Sequence, residues 1–153
     1  MYIFLLSLHS LFRWLLLGSL LCSIIFSYRS LLRQSVFTPI ADRLRHWTAT
    51  IAHIQLLIGM TLYFQSPIVM FEMFESNGRL WTEHNFYRYV HISLMISAVV
   101  MITIGSAKAK RRADDQAKYR TILRWFILAL LIIFFAIPWP FSPFASRPLF
   151  RHF

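Results

Sequence analysis

Six histidines and one deeply placed arginine carry the chemistry open to this sequence. His9 and Arg13 lie in the first apolar stretch of the chain, His53 in the second and His91 in the third. His46 and His84 fall at the edges of such stretches, and His152 lies in the tail. An ionisable side chain inside an apolar span is costly to place, so it is a functional hypothesis by default. Neutral imidazole is a good axial ligand for tetrapyrrole iron, and helix bundles hold such groups between facing side chains. Arg13 suits the carboxylates of a tetrapyrrole, because guanidinium grips carboxylate in a bidentate fork. Two other readings stand beside this one. Histidines in a bundle also act as interhelical hydrogen-bonding groups. Three of them could hold a bare metal ion, although the short-range pairing that marks such sites is missing. No carboxylate lies at depth, which argues against a di-iron carboxylate centre or a carboxylate proton relay.

Helical spacing groups these residues. At about 100° per residue, His9, Arg13, Ser23 and Ser27 share one stripe. His53 shares a stripe with His46, Thr50 and Met60, and His91 with His84, Tyr87, Met95 and Ala98. Polar stripes of this kind are expected to face the bundle interior. Gln55 lies with Thr48 and Gly59 on the face opposite His53, which reads as a packing face with a polar contact. Counting about 20 residues back from the basic edges sets His9 and His91 at similar depth near one membrane surface. His53 falls near mid-membrane, towards the other side. The methionines (Met60, Met70, Met73, Met95 and Met101) read as packing.

Four helices must position these groups. The chain has 153 residues, 58% of them hydrophobic, 17% aromatic and only 14% charged, and its mean hydropathy is +0.56. Soluble domains carry roughly 45–50% apolar and about 25% charged residues, so a soluble single-domain enzyme is excluded. The apolar stretches give helices at about 3–28, 46–65, 86–106 and 121–139, each near the length of a membrane span. The expected fold is all-α: one integral-membrane four-helix bundle over residues 1–153. The first stretch lacks a basic start and a small-residue cleavage site, and reads as a retained helix. The fourth, from Trp125 to Pro138, holds no ionisable group and reads as a packing helix. The segment Pro67–Phe74, within the connection 66–85, is too short to span. It reads equally as an interfacial helix or an ordinary loop. Pro138, Pro140 and Pro143 end the fourth helix and open an aromatic tail, 140–153.

The net charge of +10 is a topology signal and not a nucleic-acid one. Arg29, Arg33, Arg43 and Arg45 lie between the first two helices. Lys108, Lys110, Arg111, Arg112, Lys118, Arg120 and Arg124 lie between the last two, so eleven of the sixteen basic residues occupy two connections. The middle connection carries Glu72, Glu75 and Glu83. The positive-inside rule then puts both basic connections in the cytoplasm and both termini outside. Cys22 is the only cysteine, which excludes an internal disulfide and a thiolate zinc site. No phosphate loop, dinucleotide fingerprint or nucleophile elbow is present.

The stretches LHSLFRW (Leu8–Trp14), AHIQLLIG (Ala52–Gly59), His91 followed by ITIG (Ile102–Gly105), and PWPF (Pro138–Phe141) form a set. Together they resemble the small four-helix membrane proteins of Bacteroidetes-type bacteria commonly labelled "cytochrome B". The resemblance runs from Leu8 to Phe141. It implies haem b as cofactor, with His9, Arg13 and Trp14 on helix one, His53 and Gln55 on helix two and His91 on helix three at the site. Where that family tends to carry a glutamate before the third histidine, this chain has Val90. The implied function is electron transfer, with quinone as a candidate partner, in a bacterial inner membrane. His9 and His91 would be the axial pair, and His53 a haem-iron ligand at a second site or a quinone contact. A non-catalytic alternative is an accessory subunit of a larger respiratory or photosynthetic complex. Its partners would be the bilayer and other membrane subunits or further copies of the chain.

Overall fold

Two capped starts set the frame of the bundle. Thr38 precedes Pro39, a residue suited to the first helical position, and its hydroxyl accepts from Ala41 N at 3.2 Å. Asp114 caps the last helix in the same way, accepting from Ala117 N at 2.6 Å. The computed structural model describes residues 1–70 and 83–139. Over these the chain forms α1 (Tyr2–Leu32), α2 (Pro39–Gln65), the single turn α3 (Pro67–Met70) and the short α4 (Glu83–Asn85). A π-helical segment (Phe86–His91) runs into α5 (Ile92–Lys110), and α6 (Asp115–Ala136) follows. No strand occurs among the described residues. Four helices are long and apolar enough to cross a membrane: α1, α2, the joined Phe86–Lys110 and α6. The fold is thus an all-α four-helix bundle, and the protein is a multi-pass membrane protein.

Each long helix packs mainly on two neighbours: α1 on α2 and α6, and α5 on α2 and α6. Inside the ring lie Leu16 and Leu20 of α1, Ala52 of α2, Ala98 and Ile102 of α5, and Ile122, Phe126, Ala129 and Ile133 of α6. Outside it, Leu57, Phe64, Leu131 and Phe135 are exposed. Such an apolar exterior suits lipid and would be a liability in water. Small residues let the helices approach. A Cβ on Gly105 would overlap Trp125 of α6.

The helices overrun the sequence-based bounds at their basic ends. α1 continues to Leu32, α2 begins at Pro39, α5 reaches Lys110 and α6 begins at Asp115. Hydropathy marks only the lipid-buried portion. The polar turns beyond it stay helical because they are capped and tied to neighbours. Arg45, 5% exposed, donates to Asp42 at 2.6 Å, to the Ser106 carbonyl at 3.2 Å and to the Ser106 hydroxyl. Tyr119, fully buried, donates to the Val36 carbonyl at 3.0 Å. Gln116 donates to the Ser35 carbonyl at 2.9 Å. Tyr119→Phe should therefore remove this tie to the Val36 carbonyl and lower stability by about 0.5–1.5 kcal/mol; a denaturant titration in detergent micelles measures it. At the other end α6 stops at Ala136, before the expected 139. Pro138 holds Ile137 in extended conformation, at φ −72° and ψ 129°. Of Pro67–Phe74, Pro67–Met70 forms a helical turn; the rest, like the tail 140–153, lies outside the described residues.

One expectation about faces is overturned. The α2 stripe with His53 does not face the interior: His46 and His53 are exposed. The buried stripe is Ala41, Arg45, Thr48, Ala52, Gln55 and Leu62. It holds the small residues that close helix packing needs, and its Thr48 hydroxyl bonds Ser23 of α1 at 2.8 Å.

Candidate functional site

His9, Arg13, Gln55 and His91 come together at the end of the bundle opposite the two basic connections. α1 delivers His9 and Arg13 one turn apart. α2 delivers Gln55 from its interior stripe. His91 is the last residue of the π-helical segment, a rare geometry often found at functional sites. A cavity of about 420 Å³ between these helices is lined by His9, Gln55, Gly59, Tyr63, His91 and Met95, among others. Its size lies within the roughly 300–1,000 Å³ range of small-molecule sites. A smaller cavity of about 100 Å³ shares His9, Gln55 and His91 and adds Ser10, Arg13 and Pro138. The larger space is mainly apolar, and the smaller one presents the guanidinium.

The protons on both imidazoles follow from their partners. The Gln55 amide nitrogen donates to the His9 carbonyl at 3.1 Å and lies 3.3 Å from His9 Nε2. An amide nitrogen can only donate, so His9 Nε2 accepts and Nδ1 carries the hydrogen. That Nδ1 is buried without a partner. It lies against Gly59, where a Cβ would come within 3.1 Å of the ring's Cε1; glycine makes the seat for this imidazole. His91 Nδ1 lies 2.8 Å from the Ala136 carbonyl of α6. A carbonyl only accepts, so His91 is also an Nδ1–H tautomer with a bare Nε2. An edge contact with Tyr87 and a tilted one with Phe86, at ring-centroid distances of 5.7 and 6.0 Å, hold the ring.

Arg13 donates to the Ser10 hydroxyl at 3.3 Å and stacks over Trp14, 5.4 Å from the ring centroid. Trp14 in turn meets Trp139 edge to face. The arginine is thus braced with its charge at the polar chamber.

Of the sequence-derived candidates, then, His9, Arg13 and His91 converge, and His53 does not join them. Its Nε2 lies 3.1 Å from the Thr103 hydroxyl of α5, on the outside of the bundle. The bare-metal reading loses its geometry with it, since no three His, Cys, Asp or Glu residues gather into a metal site among the described residues. Gln55, read from sequence as a packing contact, proves to set the proton on His9. The Ala136 carbonyl had no side-chain signal; the prolines that follow it were the available one. No family model, curated protein or solved structure matches the chain.

Proposed function

We propose that the protein is a membrane cytochrome b-like carrier that binds haem b between α1 and α5 and transfers electrons. The observation that carries the reading is the pair of imidazoles, His9 and His91, lining one cavity with both protons on Nδ1. Each is therefore in the tautomer that ligates through Nε2. A backbone carbonyl on the opposite nitrogen, as at His91, is the usual orienting partner of a ligating histidine. When bound, the haem supplies a one-electron iron couple. The chain's own residues do the rest. His91 and His9 would hold the iron through Nε2, His9 at the expense of one 3.3 Å contact to Gln55. Arg13 offers a fork for a propionate in the small chamber, and the leucines and methionines around the larger one exclude water. A quinone is the candidate electron donor or acceptor, and the bacterial inner membrane the proposed location. The test is an optical spectrum of purified protein with a pyridine haemochrome assay. A Soret band and sharp α/β bands on dithionite reduction are expected; their absence after haem supplementation removes the reading.

His53 favours a second reading, which is compatible with the first. An imidazole exposed along a membrane-spanning helix should be covered by something polar. Packing against another membrane subunit or a second copy would do so. His53→Leu should then reduce the apparent mass of the purified particle by at least one subunit while leaving the optical spectrum unchanged. Light scattering in detergent measures this, and an unchanged mass counts against an interface at that face.

A further inference from the structure

At the basic end of the bundle the described acids are already engaged. Asp42 pairs with Arg45 at 2.6 Å, Asp115 pairs with Lys118 at 3.0 Å, and the Asp114 carboxylate caps α6. Lys108 and Arg124 are exposed at this end, and neither forms an ion pair among the described residues. Lys108 is 17 positions from His91, about 26 Å along the helix. That is close to the roughly 30 Å of hydrocarbon in a bilayer, so Lys108 stands at headgroup level on the surface opposite the imidazoles. Its Nζ lies over the Trp125 ring of α6, 4.7 Å from the centroid. Gly105, three residues earlier, lets α5 approach the root of the same tryptophan. The indole thus holds the ammonium at the seam between α5 and α6, with Arg124 next to it in α6. One turn from each cation towards the membrane centre is an exposed aliphatic residue, Ile104 on α5 and Leu128 on α6.

We propose that this seam binds an anionic phospholipid, with the phosphate between Lys108 and Arg124 and the acyl chains along Ile104 and Leu128. Guanidinium grips phosphate oxygens in a fork, and lysine adds a point charge. Tryptophan suits the boundary between headgroup and hydrocarbon. The occupant is a lipid and not a soluble phosphate, because the cations stand directly above an exposed aliphatic surface. It is anionic and not zwitterionic, because a choline or ethanolamine headgroup would bring a further cation to a site that already holds two. The site is independent of the haem reading, which concerns the other end of the bundle.

The test is native mass spectrometry of the full chain in detergent, titrated with phosphatidylglycerol or with phosphatidylcholine of the same acyl chains. Wild type should prefer phosphatidylglycerol. Each cation near a membrane surface contributes about five-fold in affinity for anionic lipid, so Lys108→Gln/Arg124→Gln should weaken phosphatidylglycerol binding about 25-fold. Arg33→Gln/Arg43→Gln removes the same charge from exposed positions on the α1–α2 connection and should leave binding nearly unchanged, since distant exposed charges are screened by salt. Glycerol phosphate, which has the headgroup chemistry without the chains, should not displace the bound lipid. Equal binding of the two lipids by wild type, equal losses in the two double variants, or displacement by glycerol phosphate each overturns the proposal. The first and third of these need no variant to fold.

Discussion

If the protein carries haem b as proposed, His91→Ala should abolish the sharp α/β bands of the reduced form, and His9→Ala should do the same. Each substitution removes one of the two imidazole nitrogens proposed to hold the haem iron, and the described residues place no third histidine, cysteine or carboxylate with them. The effects should differ in kind. His91 is oriented by a bond to α6, so His91→Ala also strands the Ala136 carbonyl and should cost about 1–3 kcal/mol of stability. His9 holds Gln55 through its ring and its carbonyl. The carbonyl survives in His9→Ala, so that variant should lose the spectrum with a smaller stability loss. His53→Ala is the control: its ring meets Thr103 outside the bundle, and the bands should persist. Difference spectra and thermal unfolding on the same preparations check both arms. Normal bands in His91→Ala would remove this residue from the ligand pair.

The faces of these two histidines were legible in the sequence because each shares its stripe with further residues that suit the interior. His9 and Arg13 are one turn apart, and His91 shares its face with Tyr87, Met95 and Ala98. α2 was harder because it carries two polar stripes. Periodicity finds both and cannot choose between them; packing chooses, through small residues that periodicity ignores. Ala41, Thr48, Ala52 and Gly59 lie on the Gln55 side, and that side went inward. The four spans followed from hydropathy. The π-helical segment before α5 had no readable signal, since it depends on how Phe86–His91 packs and not on composition. The carbonyl of Ala136 was invisible for a similar reason. Its availability is a property of the backbone, created by the turn out of α6 at Ile137.

Gly105→Ala should be the most destabilising single-methyl change in the bundle, at or above the upper end of the roughly 1–3 kcal/mol typical of overpacking. A Cβ at this position would overlap Trp125 Cβ and lie 2.8 Å from Cγ. The obstacle is the root of the side chain, fixed to the α6 backbone, so no rotamer change relieves it; the helices must move apart. Trp125→Ala should not rescue the variant, because alanine keeps the Cβ that clashes, whereas Trp125→Gly should rescue in part. The damage should also be local. Gly105 is 14 positions from His91, about 21 Å along a helix, near the basic end where Arg45 grips Ser106. The fraction that remains folded should therefore keep its His91–Ala136 bond and its spectrum, while the unfolding midpoint falls. Denaturant titration followed by the optical bands separates the two effects. A stability change below about 0.5 kcal/mol, the range of neutral surface substitutions, would mean that α5 and α6 are not in the close contact on which this reading depends.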